Sequence, residues 1–451
     1  MRDLLSDLMD SAARRAEYAD ARFVRTRAER LSTRNGGIDQ LDRDESEGIG
    51  VRVRIRGAWG FAATGGSDRR DAEAALRSAL AVAEAQPPGP GGDLAPEPPA
   101  EGYWENPVER DPFAVPLEDK LAVLAATDAG MRTGPGVNLT LARFEALRVE
   151  KLFASTEGAL CEQRVTECGG GVAAVAVEGG ESQTRSYPAS HGGHVAQGGY
   201  ERFLSLDLAG EAPRVSEEAV ALLRAPACPP GRGTLVLAGE QLGLQLHESV
   251  GHAVELDRVL GRELSYAGTS FVPADGMCRF RLGSERVSVT ADAGSDGGLG
   301  SYRWDDEGVE ARPLPIVREG VLAGFLSSRE TAAEIRLERS GGCMRAEGFA
   351  RQPIVRMTNV NLDPGDAGTL DDLLADTGNG LLIETNRSWS IDDRRLRFRF
   401  EGEAAYEISG GERGRLLRNP SYSGVTPEFW ASCDAVCSQS DWGLISLLDC
   451  G

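Results

Sequence analysis

The sequence predicts an α+β fold, a smaller N-terminal region of helix and sheet followed by a larger, strand-rich C-terminal domain. Three observations carry this. Val51, Val53 and Ile55 alternate with Arg52 and Arg54, the period of a strand with one buried and one wet face. Asp71 to Gln86 is alanine-rich and free of Gly and Pro, as a helix requires. Most of the chain beyond Cys228 is Gly-rich and strand-like, and no segment repeats.

The elements follow in order. Leu4, Leu5, Leu8, Ala12 and Ala13 recur at helical spacing and predict a first helix to about residue 18. Residues 21–27 and 50–55 read as strands, and Gly57 to Phe61 as a turn with a return strand. A second helix covers 71–86. The stretch from Pro87 holds six of the 22 prolines by Pro99, too dense for packed structure, and reads as a linker over 87–102. A helix at 117–131 leads into strands at 137–154, 159–167 and 171–177, and helical patterns return between 200 and 225. Cys228-Pro-Pro-Gly231 marks the next boundary. Gly233 to Gly239 is a buried-strand run followed directly by a helical pattern, with further strands at 351–360 and 396–400. The expected division is 1–86, a linker at 87–102, a central α+β region at 103–227 and a C-terminal domain at 228–451.

Composition removes several functions. With 451 residues the chain can bury roughly three quarters of its extended surface, so a large core is available. A net charge of −21 argues against general binding to nucleic acid or anionic membrane. The two lysines, Lys120 and Lys151, sit in no P-loop, and neither a dinucleotide fingerprint nor a nucleophile elbow occurs. Eight sparse cysteines without a C-x-x-C pair fit reduced cytosolic thiols. The N-terminus carries acids through its apolar positions, unlike a secretory signal, and no apolar run nears the ~18 residues of a membrane span. A soluble cytoplasmic protein is expected.

All four histidines fall in two pairs. One lies in His247-Glu248-Ser-Val-Gly251-His252, where Leu242, Leu246, Val250 and Ala253 form an apolar stripe at helical spacing. Two closely spaced imidazoles can hold Zn²⁺, and a neighbouring carboxylate can take a proton from metal-bound water. The ligands are five residues apart, about 140° around a regular helix, so both reach one ion only if the helix widens into a π-bulge or ends in that turn. Gly251 permits such a distortion. For a third ligand, Glu255 and Asp257 are near, and Cys433, Cys437 and Cys450 are distant thiolates suited to zinc. The other pair, His191-Gly-Gly-His194, reads as a flexible loop or tight turn able to bind metal or substrate. Asp292 to Asp296 and Asp305-Asp306 lack calcium-loop spacing and read as solvated turns.

The motif and its surroundings resemble the TldD/PmbA (TldD/TldE) metallopeptidases along essentially the whole chain. Besides His247-Glu248-x-x-x-His252, the resemblance rests on Tyr18 to Arg22, Gly48 to Phe61, Asp305-Asp-Glu-Gly308, Gly324 to Ala332, Arg356-Met-Thr-Asn359, Asn419 to Gly424 and Phe429-Trp430. It implies a metal-bearing, TldD-like member: a zinc-dependent peptidase acting on small or unfolded polypeptides, in peptide maturation or degradation. The implied zinc ligands are His247, His252 and Cys450, matching a C-terminal Cys-Gly-Lys-Gly-like turn of which this chain ends at Cys450-Gly451, with Cys433 and Cys437 in reserve. Glu248 is the implied general base, with Glu255 or Asp257 fixing a histidine tautomer. The resemblance also implies a TldE-like partner subunit or a homodimer. The alternative is a non-catalytic binding or scaffold subunit, motivated by the histidine spacing and the short C-terminal turn.

Overall fold

A computed structural model describes residues 1–89, 92–133 and 135–447. The N-terminal half is built from α1 (Arg2–Ala12), β1 (Tyr18–Arg34), β2 (Gly37–Ile55), β3 (Ala58–Thr64), α2 (Arg69–Ala85), β4 (Glu101–Glu105), α3 (Leu117–Met131), β5 (Val137–Ser155), β6 (Leu160–Glu178), β7 (Glu181–Tyr187), β8 (His194–Gln197), α4 (Tyr200–Leu204) and α5 (Leu208–Arg224). Among the described residues β1 to β8 form one sheet in the order β3-β2-β1-β5-β6-β4, with β7 and β8 also paired to β6. Strands from 1–86 and from 103–227 therefore share a single sheet. The α+β class is borne out.

One face of the sheet is covered by helices. Leu5, Leu8, Ala72, Leu76 and Leu80 of α1 and α2 pack on Ala19, Ile49, Val51 and Val53, and α3 and α5 cover β5 and β6 around Leu124, Phe144 and Val215. The opposite face was expected to be wet, but Arg52 and Arg54 are 2 % and 6 % exposed. The C-terminal half lies against it. Arg52 pairs with Asp20 and with Glu307, and Arg54 donates to the Gly92 carbonyl. Asp305 and Asp306, read as a solvated turn, are buried. Asp306 is held by Arg22 at 3.0 Å and by Lys151, while Asp305 accepts from the backbone of Glu307, Val309 and Met344. Buried charges persist when paired and hydrogen-bonded in this way.

Other elements differ in extent. The first helix stops at Ala12, and β1 and β2 run further than expected because residues 37–46 are polar and largely exposed, which leaves no alternation to read. The two strands foreseen at 159–167 and 171–177 are one strand, since Gly169 to Gly171 continue the ladder with β5. Residues 351–360 hold only Ile354–Val355 and the start of Val360–Leu362. In the proline-rich segment, of which Pro90 and Gly91 lie outside the described residues, Pro87, Pro88, Pro96, Pro98 and Pro99 are exposed, and the chain is anchored at Ala95. Ala95 is 2 % exposed; its N–H donates to the Arg329 carbonyl at 3.0 Å, and its carbonyl accepts from Arg329 Nε at 2.8 Å. An extended proline-rich backbone can lie along a surface when its own polar groups find partners there.

In the C-terminal half, β9 (Leu235–Leu237) pairs in parallel with 379–383, which continues to 404–409 and 412–418. A three-stranded sheet comprises Asn386–Ile391, Arg397–Gly402 and Ser421–Val425. β9 leads into α6 (Gly239–Leu246), which runs into the core formed by Leu246, Val250, Leu256, Val289, Phe325 and Trp430. No helix among the described residues is long and apolar enough to cross a membrane.

Candidate metal centre

The histidine helix is held on its rear by a polar ladder at four-residue spacing. Gln241 Nε2 donates to Tyr422 Oη (2.8 Å), Tyr422 Oη to Gln245 Oε1 (3.1 Å), Gln245 Nε2 to Ser249 Oγ (3.1 Å) and Trp430 Nε1 to the same Ser249 Oγ (2.9 Å). All five side chains are buried or nearly so. One face of the helix is thereby fixed, and the other is free to carry chemistry.

At His247 the helix widens. His247–Gly251 is a π-helical turn, closed by the His252 N–H donating to the His247 carbonyl, and His252–Val254 then tightens to a 3₁₀ turn. A Cβ on Gly251 would lie 2.0 Å from Met357 Sδ, so the widened turn packs where only glycine fits. The extra residue in the turn brings positions 247 and 252 onto one face. The two imidazole rings meet edge to face at 4.7 Å between centroids, and one ligand-capable atom from each of His247, Glu248 and His252 lies within 4.8 Å of the other two.

Each side chain is prepared for a distinct task. His247 Nε2 is buried without a hydrogen-bond partner among the described residues. Burial, followed by the nearby His252, pushes the His247 pKa well down, so the ring is neutral and presents a lone pair. His252 Nδ1 lies 3.0 Å from Glu255 Oε2, which also accepts from Arg258 Nε, while Oε1 accepts from Met357 N at 3.1 Å. Burial raises the Glu255 pKa, but His252 and Arg258 outweigh it and hold the group at about 2. An ionised carboxylate can only accept, so His252 carries a hydrogen on Nδ1, the tautomer that in a neutral ring leaves the lone pair on Nε2. A buried imidazole nitrogen with no partner, beside a second imidazole oriented by a carboxylate, fits a transition-metal ion.

Glu248 Oε1 accepts from Trp389 Nε1 at 3.0 Å, and Oε2 pairs with Arg395 Nη1 at 2.5 Å. Trp389 and Arg395 went unnoticed in the sequence because they lie 141 and 147 residues downstream. Nothing in their local sequence marks them: in the structure Trp389 is 37 % exposed and Arg395 has a positive φ of 61°, properties that a sequence does not display. Asp257 is not drawn into the group. Its Oδ2 accepts from Val355 N, and burial pushes its pKa up to about 6. Cys433 and Cys437 do not join the cluster found among the described residues; Cys433 Sγ faces the Ala435 carbonyl. Cys450 lies outside the described residues. The second histidine pair separates: His191 Nε2 is 3.4 Å from Asn386 Oδ1 and its ring meets Trp389 edge-on at 5.5 Å, whereas His194 Nδ1 accepts from Ser446 N at 3.0 Å.

Three family profiles match consecutive parts of the chain: PmbA/TldA metallopeptidase domain 1 over residues 19–84, the central domain over 110–225 and the C-terminal domain over 230–446. A protein of Methanothermobacter thermautotrophicus named metalloprotease is 31 % identical, covering 98 % of this chain and 92 % of its own. Another so named, from Methanocaldococcus jannaschii, is 30 % identical over 93 % of this chain and 89 % of its own. The solved structure of TldE from Thermococcus kodakarensis superposes with a TM-score of 0.73 at 15 % identity, covering 96 % of this chain and 94 % of that one, and shares the fold.

Proposed function

The chain belongs to the PmbA/TldA metallopeptidase family, and from that premise we propose that it is a zinc-dependent peptidase of small or unfolded polypeptides, active in peptide maturation or degradation. In this reading His247, His252 and Cys450 would hold the zinc, and Glu248 would be the general base. The observation that carries this is the unpartnered, buried Nε2 of His247 on a π turn that brings His252 and Glu248 beside it.

Two neutral imidazoles and a thiolate are a donor set suited to zinc. A zinc ion held there would supply Lewis acidity at the scissile bond and a more acidic water. Glu248 takes the water proton and returns it to the leaving amine. Trp389 and Arg395 keep its two oxygens from rotating away, and Glu255 keeps His252 in the tautomer that presents Nε2. Support for Cys450 comes from the chain leading to it. Ile445 packs so closely on the helix that a Cβ on Gly243 would sit 3.0 Å from its Cγ2, and Ser446 is tied to His194. Gly243 precedes His247 by about 6 Å of helix, and the three residues from Leu447 to Cys450 can span roughly 10 Å.

In this reading the enzyme works in the cytoplasm, as a homodimer or with a TldE-like subunit, and the segments 1–86, 103–227 and 228–451 are its structural units. Glu248→Gln tests the chemistry: it keeps about one zinc per chain by elemental analysis and loses cleavage of an unstructured peptide by about 10²–10⁴-fold. Turnover at the parental rate refutes the general base, and freshly purified protein without zinc refutes the metal centre in favour of a scaffold subunit. Mass measurement alone and after mixing with a TldE-like chain distinguishes the two assemblies.

A further inference from the structure

The turn Ser190–Gly193 is not used by the chemistry above, yet it lines a cavity of about 250 Å³, and its His191 ring meets Trp389, the residue that donates to Glu248. We propose that this cavity is a carboxylate-binding subsite, which seats the free C-terminus or an acidic side chain of the peptide at a set distance from Glu248. The proposal rests on the peptidase reading and adds the substrate feature that the enzyme would recognise.

The shape is imposed by backbone. His191, Gly192 and Gly193 all have positive φ, at 53°, 116° and 97°. A Cβ on Gly193 would lie 2.1 Å from the Gly170 carbonyl oxygen, and one on Gly171 would lie 2.4 Å from Gly193 Cα. The turn thus closes directly onto strand β6 with no side chain between them, and the remaining space is left to a ligand.

The charge of the lining favours an anion. Arg143 of β5 and Arg387 both face the cavity. Arg387 is the extra residue of a β-bulge: pairing of its strand passes from Asn386↔Gly402 to Ser388↔Glu401, leaving Arg387 out of the ladder. Bulges beside functional sites re-aim a side chain in this way. Arg387 Nη1 donates to Asn419 Oδ1 at 2.7 Å, which orients the guanidinium. A guanidinium carries five N–H donors, so this bond leaves capacity for a bidentate carboxylate. The acid in the lining, Glu403, is already engaged. It accepts from Ser186 N and Ser186 Oγ, lies 3.6 Å from Arg185 and is buried, which pushes its carboxyl up to about 7. On a chain of net charge −21, two arginines at one cavity supply local positive charge that would attract a carboxylate.

The connection to the reaction is short. The His191 ring, on the cavity wall, meets the Trp389 ring at 5.5 Å, and Trp389 Nε1 donates to Glu248 at 3.0 Å. Arg387 and Trp389 are two residues apart on one strand. The His191 ring and the Trp389 indole thus link the cavity wall to the general base, so a carboxylate held by Arg387 would set the peptide at a fixed distance from Glu248.

The test uses the full-length, zinc-loaded Glu248→Gln protein, which binds without cleaving, and three fluorescent peptides of one unstructured sequence. The first has a free C-terminus, the second a C-terminal amide, and the third an amide plus one internal Asp. Anisotropy at 0.15 M salt is expected to show the free acid or the Asp peptide binding about tenfold tighter than the plain amide, ~1.4 kcal/mol. Whichever of the two gains identifies the source of the carboxylate. Adding R143Q and R387Q, both at exposed or edge positions, brings the ratio to near one. Equal binding of all three peptides overturns the subsite while leaving the peptidase intact, as does a preference that survives the double substitution. Failure of every peptide to bind overturns the peptidase reading and the subsite with it.

Discussion

Glu255→Gln is the sharpest probe of how the metal centre is organised. Three donors converge on this carboxylate: His252 Nδ1 at 3.0 Å and Arg258 Nε at 2.5 Å on one oxygen, and Met357 N at 3.1 Å on the other. A carboxylate accepts all three, whereas an amide accepts on one side only and donates on the other. If the amide oxygen faces His252 and Arg258, its NH₂ opposes the Met357 N–H. If it faces Met357, the NH₂ opposes both others and His252 is released to flip its tautomer. One or two charge-assisted bonds are lost in a site with no exposure, each about 1.5–3 kcal/mol. Loss of the carboxylate behind a metal-ligating histidine typically weakens metal affinity about 10–100-fold, ~1.4–2.8 kcal/mol. Chelator competition should show that decrease in zinc affinity, with Glu248 and both histidines unchanged. Zinc affinity within about threefold of the parent, in a protein of unaltered stability, refutes the role assigned to Glu255.

Two further substitutions test the scaffold. Ser249→Ala removes the hydroxyl that receives Gln245 and Trp430, leaving two buried donors unsatisfied, and should cost roughly 2–5 kcal/mol in urea unfolding; a change below ~1 kcal/mol would mean the ladder does not anchor the helix. Asp257→Asn tests burial: the native carboxyl titrates near 6 against an ordinary 3.8, so its contribution to stability is full below about pH 4 and lost as pH rises through 6. The parent should lose up to about 3 kcal/mol relative to Asp257→Asn between pH 4 and 7, at about 1.4 kcal/mol per pKa unit, and parallel stability curves in that window would contradict the shift.

The histidine helix was legible because its geometry is local. His247, Glu248 and His252 occupy one turn, and the five-residue spacing already required a widened helix, which His247–Gly251 adopts. Glu255, three residues on, was within the same horizon. Trp389 and Arg395 were not, because they reach Glu248 from a hairpin more than 140 residues away. Burial misled in the same manner. Arg52 and Arg54 alternate with Val51 and Val53 as surface residues would, and Asp305-Asp306 has the composition of a turn, yet all four are buried, and Arg52 pairs with Glu307 and Asp306 with Arg22 and Lys151 between the two halves of the molecule.

By itself, then, the sequence determined most of the elements, the α+β class and the widened His247–His252 turn, since periodicity, glycine placement and residue spacing act within a few residues. Only the tertiary structure decided which charges are buried, what holds Glu248 and where the His191 turn closes. Those outcomes depend on which distant surfaces meet, and a charge is stable inside only when a partner from elsewhere in the chain arrives to match it.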